Sequence, residues 1–299
     1  KLLVLNLSPD AGALDVYLTA PTDSLDTATR SVANLQSGSG SGFISMSSGS
    51  YRVRVTGYNQ RSTDIRLDIP NLTLASAGVH TLILTGTDGG VLLNGVTLVQ
   101  KGEVAPVLNT QARVRGVVAL NSGSSVSGTI NGQAIVPASV TPALGDYVSV
   151  TAGSATAQFA FNGATLTSPA KTLVAGNDYT LLVWGDPANP QYTWNTDSNR
   201  LATSTGNAKI RLLNGMGTAA GPLNMSVDFA AVASSVAPGA ISEFKEISAS
   251  TSAFLEVTKP GTVEPLYSRS PLTFLPLANY TVFVMPGATG PVTTLRKER

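Results

Sequence analysis

The sequence predicts an all-β protein, and three observations carry that expectation. Apolar and polar residues alternate at a period of two in Tyr51-Arg52-Val53-Arg54-Val55 and Asp64-Ile65-Arg66-Leu67-Asp68-Ile69, the spacing of a strand with one buried and one wet face. Turn residues punctuate such runs, and no long stretch shows a helical period with start and stop signals. One strand-turn-strand pattern occurs three times at intervals of roughly 100 residues. Segments of that length with about seven short strands suit two facing sheets, so the expected architecture is three tandem immunoglobulin-like antiparallel β-sandwich domains.

The repeated pattern occupies residues 72–86, 172–185 and 272–287, and each copy ends in an apolar strand. A second landmark opens each repeat: Lys1-Leu2-Leu3-Val4-Leu5-Asn6, Arg113-Val114-Arg115-Gly116-Val117-Val118 and Lys209-Ile210-Arg211-Leu212-Leu213-Asn214. The repeats are therefore placed at 1–103, 108–204 and 207–299. Leu82-Ile83-Leu84 and Leu181-Leu182-Val183 are apolar at every position, as expected of central strands covered on both faces. Ser8-Pro9-Asp10-Ala11-Gly12, Ser48-Gly49, Asp88-Gly89-Gly90, Asn131-Gly132, Asn162-Gly163 and Lys259-Pro260-Gly261 supply the turn conformations that connect strands. Residues 228–236, rich in alanine, are the weakest fit to an all-β reading.

Composition removes several classes of function. The chain has 299 residues, with 19 Lys and Arg against 18 Asp and Glu, and a net charge of +1, so it offers no basic field for nucleic-acid phosphates. It has one histidine and no cysteine, which excludes thiol chemistry and cysteine zinc sites. No cofactor is expected. No apolar run approaches the ~18 residues of a membrane helix. Low charge with abundant Ser, Thr and Gly suggests an exported bacterial protein, and Lys1 opening directly into a strand suggests that a signal or anchor segment precedes it.

At Leu7-Ser8-Pro9-Asp10-Ala11-Gly12-Ala13-Leu14-Asp15-Val16-Tyr17-Leu18, followed by Gly49-Ser50-Tyr51-Arg52-Val53-Arg54-Val55, the sequence resembles a family of bacterial exported β-sandwich repeats known as domain of unknown function number four-three-nine-seven. The first repeat fits best. The third keeps the opening strand and an echo in Asn224-Met225-Ser226-Val227-Asp228-Phe229, while the second has only Val126-Ser127-Gly128-Thr129-Ile130 there. The resemblance implies an immunoglobulin-like fold and a cell-envelope, periplasmic or secreted location. It implies no catalytic residue.

Few residues are arranged for chemistry. A serine hydrolase needs a base beside its nucleophile, and His80, the one candidate, stands at a strand start where the other repeats have Tyr179 and Tyr280, so a structural role is expected. Gly38-Ser39-Gly40-Ser41-Gly42 has the letters of a nucleophile elbow but reads as a loop, with no helix after it. Asp10, Asp15, Asp23 and Asp26 could offer oxygen ligands to calcium, but their spacing matches no calcium loop; Asp10 suits a turn, Asp15 the wet face of a strand, Asp23 and Asp26 a solvated loop. The stretch from Trp184 to Asn195 gathers Trp184, Tyr192 and Trp194 in what reads as a Pro/Asn-rich loop, either packed between repeats or forming a binding surface. Arg296-Lys297-Glu298-Arg299 reads as a solvated basic tail.

The expected function is that of a non-enzymatic exported cell-envelope protein, a structural, adhesion or protein-binding module whose partner is an envelope protein or polysaccharide. The alternative is a carbohydrate-binding protein that stacks sugars on Trp184, Tyr192 and Trp194.

Overall fold

The computed structural model describes residues 1–120, 123–262 and 264–299. Among these the chain is all-β: the only helical segments are two single 3-10 turns, Arg61–Thr63 and Thr218–Ala220. Contacts divide it into two compact units, Lys1–Ala112 with Val174–Asn177, and Arg113–Leu173 with Asp178–Arg299.

The first unit is built on two facing sheets. One runs in the order Ser39–Ile44, Leu2–Asn6, His80–Gly86, Leu93–Val99, Val104–Val107; the other Val32–Leu35, Leu14–Thr19, Gly49–Gly57, Ile65–Leu74. Period-two alternation decides which side chains meet between them. Leu2, Val4, Leu82 and Leu84 from one sheet and Leu14, Val16, Val53, Val55 and Leu67 from the other form a single cluster with 1% exposure or less. The wet-face expectation fails for Arg54, which is buried, its Nη2 donating to Thr19 Oγ1 and the Asp23 carbonyl, both at 2.9 Å. Burial lowers its pKa from the ordinary arginine value, and the nearby Arg52 charge adds to the shift.

The second unit holds two further sheet pairs. Ala143–Leu144, Gln111–Ala119, Asp178–Asp186 and Asn189–Asp197 form one sheet, and Gln133–Val140, Ser125–Ile130, Ala157–Phe161 and Ala164–Thr167 another. They approach closely: a Cβ at Gly116 would lie 2.5 Å from the Val136 side chain. Lys245–Ser248, Asn207–Asn214, Asn279–Pro286 and Pro291–Lys297 pair in the same way with Ala230–Val236, Leu223–Val227, Ser250–Thr258 and Pro265–Phe274 around a core that includes Ile210, Leu212, Leu255, Val257 and Val282.

Two sequence expectations are corrected here. The sheets are not purely antiparallel, because each opening strand runs parallel to the strand of the repeated pattern: Leu2–Asn6 to His80–Gly86, Gln111–Ala119 to Asp178–Asp186, Asn207–Asn214 to Asn279–Pro286. The chain crosses to the opposite sheet and back between these partners, so they can meet head to head. Gly38 to Gly42 is not a loop, since Ser39–Ile44 is the edge strand beside Leu2–Asn6. Its glycines suit the place: a Cβ at Gly40 would lie 2.8 Å from the Leu5 side chain. The alanine-rich stretch is a strand, and Asp228 and Phe229, with φ of 48° and 65°, make the tight turn into it.

A buried asparagine ties the opening strand to the facing sheet in two of the three pairs. Asn6 donates to the Gly12 and Leu35 carbonyls, each at 3.1 Å, and accepts the Ser8 N–H at 3.1 Å. Asn214 does the same with the Gly221 and Val236 carbonyls at 3.2 and 2.9 Å and the Met216 N–H at 3.1 Å. Leucine at either place would keep the volume and leave three backbone groups unpaired. The expected loss for Asn6→Leu or Asn214→Leu is about 2–4 kcal/mol in denaturant unfolding; a loss under about 0.5 kcal/mol would show that the clamp contributes nothing.

Candidate functional site

The parallel pairs of the second unit place an arginine and a threonine side by side. Arg115 is in register with Thr180, and its Nε donates to the Thr180 hydroxyl at 2.9 Å. Arg211 is in register with Thr281 and donates to it at 3.1 Å. Both arginines point away from their own sandwich core, yet Arg115 is fully buried and Arg211 is 2% exposed. The reason is that the outer faces of the two sheets pack together. Val117, Ala119 and Leu182 from one and Leu213, Phe283 and Met285 from the other make a shared apolar cluster.

Two carboxylates answer the two guanidinium groups, and they are crossed. Glu298 accepts both of its bonds from Arg115 Nη1, at 2.6 Å, while Asp197 pairs with Arg211. Each sandwich thus lends one cation and one anion to the other. Asp197 also accepts the Tyr147 hydroxyl at 2.7 Å, the Thr180 hydroxyl at 2.6 Å and the Asn195 amide at 2.7 Å. The flat faces of the guanidinium groups lie over aromatic rings, Arg115 over Tyr147 at 4.5 Å and Arg211 over Phe244 at 4.4 Å.

Electrostatics keep Asp197, Arg115 and Arg211 ionised. Burial works against the charge on Asp197, but Arg211 and Arg115 outweigh it and hold the carboxyl below the ordinary range. Burial likewise opposes the charge on Arg115, and its surroundings, Tyr147, Glu298 and Asp197, raise it above the usual arginine value. Burial pushes the Tyr147 phenol up, so it serves as a neutral donor. Two buried cations and two buried anions pair off here, with the partly exposed Arg296 also 3.7 Å from Glu298, and the chemistry of the arrangement is to hold two sheets in one position.

The arrangement overturns the reading of residues 296–299 as a solvated tail. Glu298 is 1% exposed at its side chain. Arg296 reaches the Gly145 carbonyl at 3.0 Å and pairs with Asp146, and Arg299 donates to the Asn199 carbonyl at 3.0 Å. The signal for these contacts was present only as the paired landmarks Arg113-Val114-Arg115 and Lys209-Ile210-Arg211, in which the arginines alternate with core residues.

The aromatic stretch is a hairpin instead of a loop, with strands Asp178–Asp186 and Asn189–Asp197 in continuous register. Trp184 faces the neighbouring sandwich: its Nε1 donates to Thr193 Oγ1 at 3.0 Å, and a Cβ at Gly239 would lie 2.0 Å from the indole. Tyr192 and Trp194 pair with Val183 and Leu181 on the opposite face, where Trp194 meets Tyr179 edge to face at 6.4 Å. The three rings therefore do not share one surface.

Among the other sequence candidates, His80 is 6% exposed and its Nε2 accepts the Ala75 N–H at 3.3 Å. Tyr280 repeats the contact, its hydroxyl accepting the Leu275 N–H at 2.9 Å. Asp15 corrects its expected place on a wet face: it is fully buried and accepts the N–H groups of Asn34 and Asn59 at 3.0 Å and Arg30 at 3.1 Å. Both asparagines are left-handed, with φ of 57° and 61°, so the carboxylate fixes two turns. Asp23 accepts the Ala20 N–H at 3.1 Å, and Asp26 is exposed, its carbonyl accepting from Arg61 at 2.7 Å; Asp10 lies half-buried in its turn. Among the described residues no three His, Asp or Glu side chains gather as metal ligands.

Two measurements test the charged layer. Glu298→Ala leaves Arg115 buried and unpaired, so it is expected to cost about 3–5 kcal/mol in denaturant unfolding, while Arg115→Met with Glu298→Leu costs much less; equal losses would mean that packing, and not charge, is what matters. Asp197, with its folded pKa depressed, contributes stability that is complete above about pH 4 and lost as the pH falls through the folded value. In a Trp194→Phe background, Trp184 fluorescence is expected to report this acid step, and Asp197→Asn to remove it; an unchanged step in Asp197→Asn would assign it elsewhere.

The family model described as "Domain of unknown function (DUF4397)" matches residues 1–126 and again residues 112–220, which extends the likeness beyond the first repeat. No curated protein matches the chain. Among solved structures, a "putative cell adhesion protein" from Bacteroides uniformis ATCC 8492 is 13% identical, with 66% of this chain and 97% of that chain covered and a TM-score of 0.29. A second protein described in the same words, from Bacteroides ovatus ATCC 8483, is 11% identical, with 66% and 95% covered and a TM-score of 0.25. Likenesses at these scores carry no weight for the role of this chain. The two family matches span residues 1–220 between them, and the chain belongs to the DUF4397 domain family.

Proposed function

We propose that the chain is a non-enzymatic, exported cell-envelope protein of three tandem immunoglobulin-like repeats, acting as a structural, adhesion or protein-binding module. The observation that carries this reading is the crossed ion-pair layer. Groups that would be the raw material of a catalytic or ligand site, namely Arg115, Arg211, Asp197, Glu298 and Tyr147, are engaged with one another to join two sandwiches face to face. A joined block of sandwiches suits the presentation of loops and edges at a distance. His80 and Asp15 are likewise engaged with backbone N–H groups. Export is favoured by the weakly charged Ser/Thr/Gly-rich composition, and no helix among the described residues is long and apolar enough to cross a membrane.

The test is binding of the purified chain to immobilised envelope proteins and glycans at two salt concentrations. Saturable binding to a protein, retained in Trp194→Ala and in His80→Ala, is the expected result. Binding confined to glycans and lost in a folded Trp194→Ala variant would replace this reading with carbohydrate recognition. A hydrolytic activity lost in His80→Ala would replace it with an enzyme.

A further inference from the structure

The sequence holds four Asn-Gly pairs, beginning at Asn94, Asn131, Asn162 and Asn214, and the fold treats them differently. In such a pair the glycine has no side chain to shield its backbone nitrogen, which can reach the side-chain carbonyl carbon of the asparagine before it. What the surrounding structure does to that amide decides how open the pair is to chemistry. Asn214 is buried, and its amide makes the three bonds of its clamp. Asn94 lies half-buried in a strand with Oδ1 accepting the Asn109 N–H at 2.9 Å, and Gly95 is in register with strands on both sides.

The other two pairs form a matched comparison. Each is the exposed two-residue turn of a hairpin: Ile130 opposes Gln133 around Asn131-Gly132, and Phe161 opposes Ala164 around Asn162-Gly163. Both asparagines have a φ of 47°, and a Cβ at either glycine would meet nothing within 4 Å, so both turns are unobstructed. They differ in one respect. Asn162 Oδ1 accepts the Ser125 N–H at 2.9 Å, which ties its amide to the neighbouring strand. The Asn131 amide makes no hydrogen bond among the described residues.

We propose that Asn131 is a site of spontaneous covalent modification, the Asn-Gly pair at which the folded chain deamidates first. The Gly132 nitrogen gives up its proton to solvent and attacks the Asn131 side-chain carbonyl carbon. The bond from that carbon to the amide nitrogen breaks, the nitrogen takes a proton from solvent and leaves as ammonia, and a five-membered succinimide remains. Water then opens the ring at one of its two carbonyl carbons and leaves aspartate or isoaspartate. The sequence consumes one water, releases one ammonia and changes no oxidation state. Either product adds a carboxylate, which removes the chain's single unit of net positive charge. Isoaspartate also places an extra carbon in the main chain of the turn that joins Ser125–Ile130 to Gln133–Val140. At Asn162 the bond to Ser125 has to break before the same attack, and one hydrogen bond corresponds to about a tenfold difference in rate. This assignment stands independently of whether the protein binds an envelope partner.

Mass-spectrometric peptide mapping of the purified full chain, aged at physiological temperature and mildly alkaline pH, tests it. Asn131 is expected to convert about tenfold faster than Asn162, with Asn94 and Asn214 slower still. In concentrated urea, where none of the four is held, they are expected to convert at similar rates, which separates the effect of the fold from that of the flanking residues. Asn131→Gln lengthens the side chain by one methylene, so that attack needs a six-membered ring. That variant is expected to lose the early acidic species on ion exchange and to keep the circular dichroism spectrum of the wild type. Equal rates at Asn131 and Asn162 in the folded chain, or a faster pair elsewhere, would overturn the proposal. So would an early acidic species that persists in Asn131→Gln, an Asn131 that stays intact in the folded chain while it converts in urea, or the same ranking in urea, which would assign the preference to flanking sequence.

Discussion

Two guanidinium groups without access to water set the terms for the second unit. An arginine on the outer face of a sheet normally extends into solvent, and removing it from water is costly unless an anion of fitting geometry is supplied. Arg115 and Arg211 are supplied in exchange, each by the sandwich opposite, and the remaining features follow. Glu298 must be held in place, and Arg296 and Arg299 on either side of it bond to the Gly145 and Asn199 carbonyls. Asp197 must be shielded, so Tyr147, Thr180 and Asn195 close around it. The apolar half of the same face, from Val117 to Met285, can then pack dry because each buried guanidinium of the polar half is answered by a carboxylate.

The three sheet pairs share a plan whose parts are interchangeable in chemistry. A strand opens each pair and lies parallel to the strand that ends the repeated pattern. At the start of that partner, an aromatic ring is buried, and in two cases it accepts the N–H of the residue five positions earlier: an imidazole nitrogen in His80, a phenol oxygen in Tyr280. The buried asparagine appears in the first and third pairs, with Val118 at the equivalent place in the second. What varies among the pairs is chiefly the outer face, which carries Leu3 in the first pair and Arg115 and Arg211 at the equivalent places in the other two.

Much of the fold was legible because strands and turns announce themselves locally. Asn131-Gly132 and Asn162-Gly163 adopt the positive φ values that their residue types favour, and the alternation in Tyr51 to Val55 gives the correct core residues. Ser39–Ile44 was illegible because a strand of glycine and serine is held by backbone bonds to its neighbour and by the lack of side chains where Leu5 presses against it. The hairpin of Trp184 to Trp194 was hidden by Pro187 and Pro190, which suggest a loop; Asn189–Asp197 is an edge strand, where a proline costs no ladder bond. Glu298 lies 183 residues from its partner Arg115, and no local pattern can report a contact at that range. Asp15 was placed on the correct strand and misjudged only in burial, since its anions are answered by backbone N–H groups that sequence does not display.

The crossing of the ion pairs also has a geometric consequence. Two apolar sheet faces fit one another at several offsets, because leucine, valine and phenylalanine fill space without a directional demand. Slipping one face by two residues would cost the shared apolar cluster little, but it would carry both arginines away from both acids at once. The crossed pairs therefore act as a vernier that admits a single alignment of the two sheets. The outer face built around Leu3 has no charged residue on any of its five strands, and so carries no such mark.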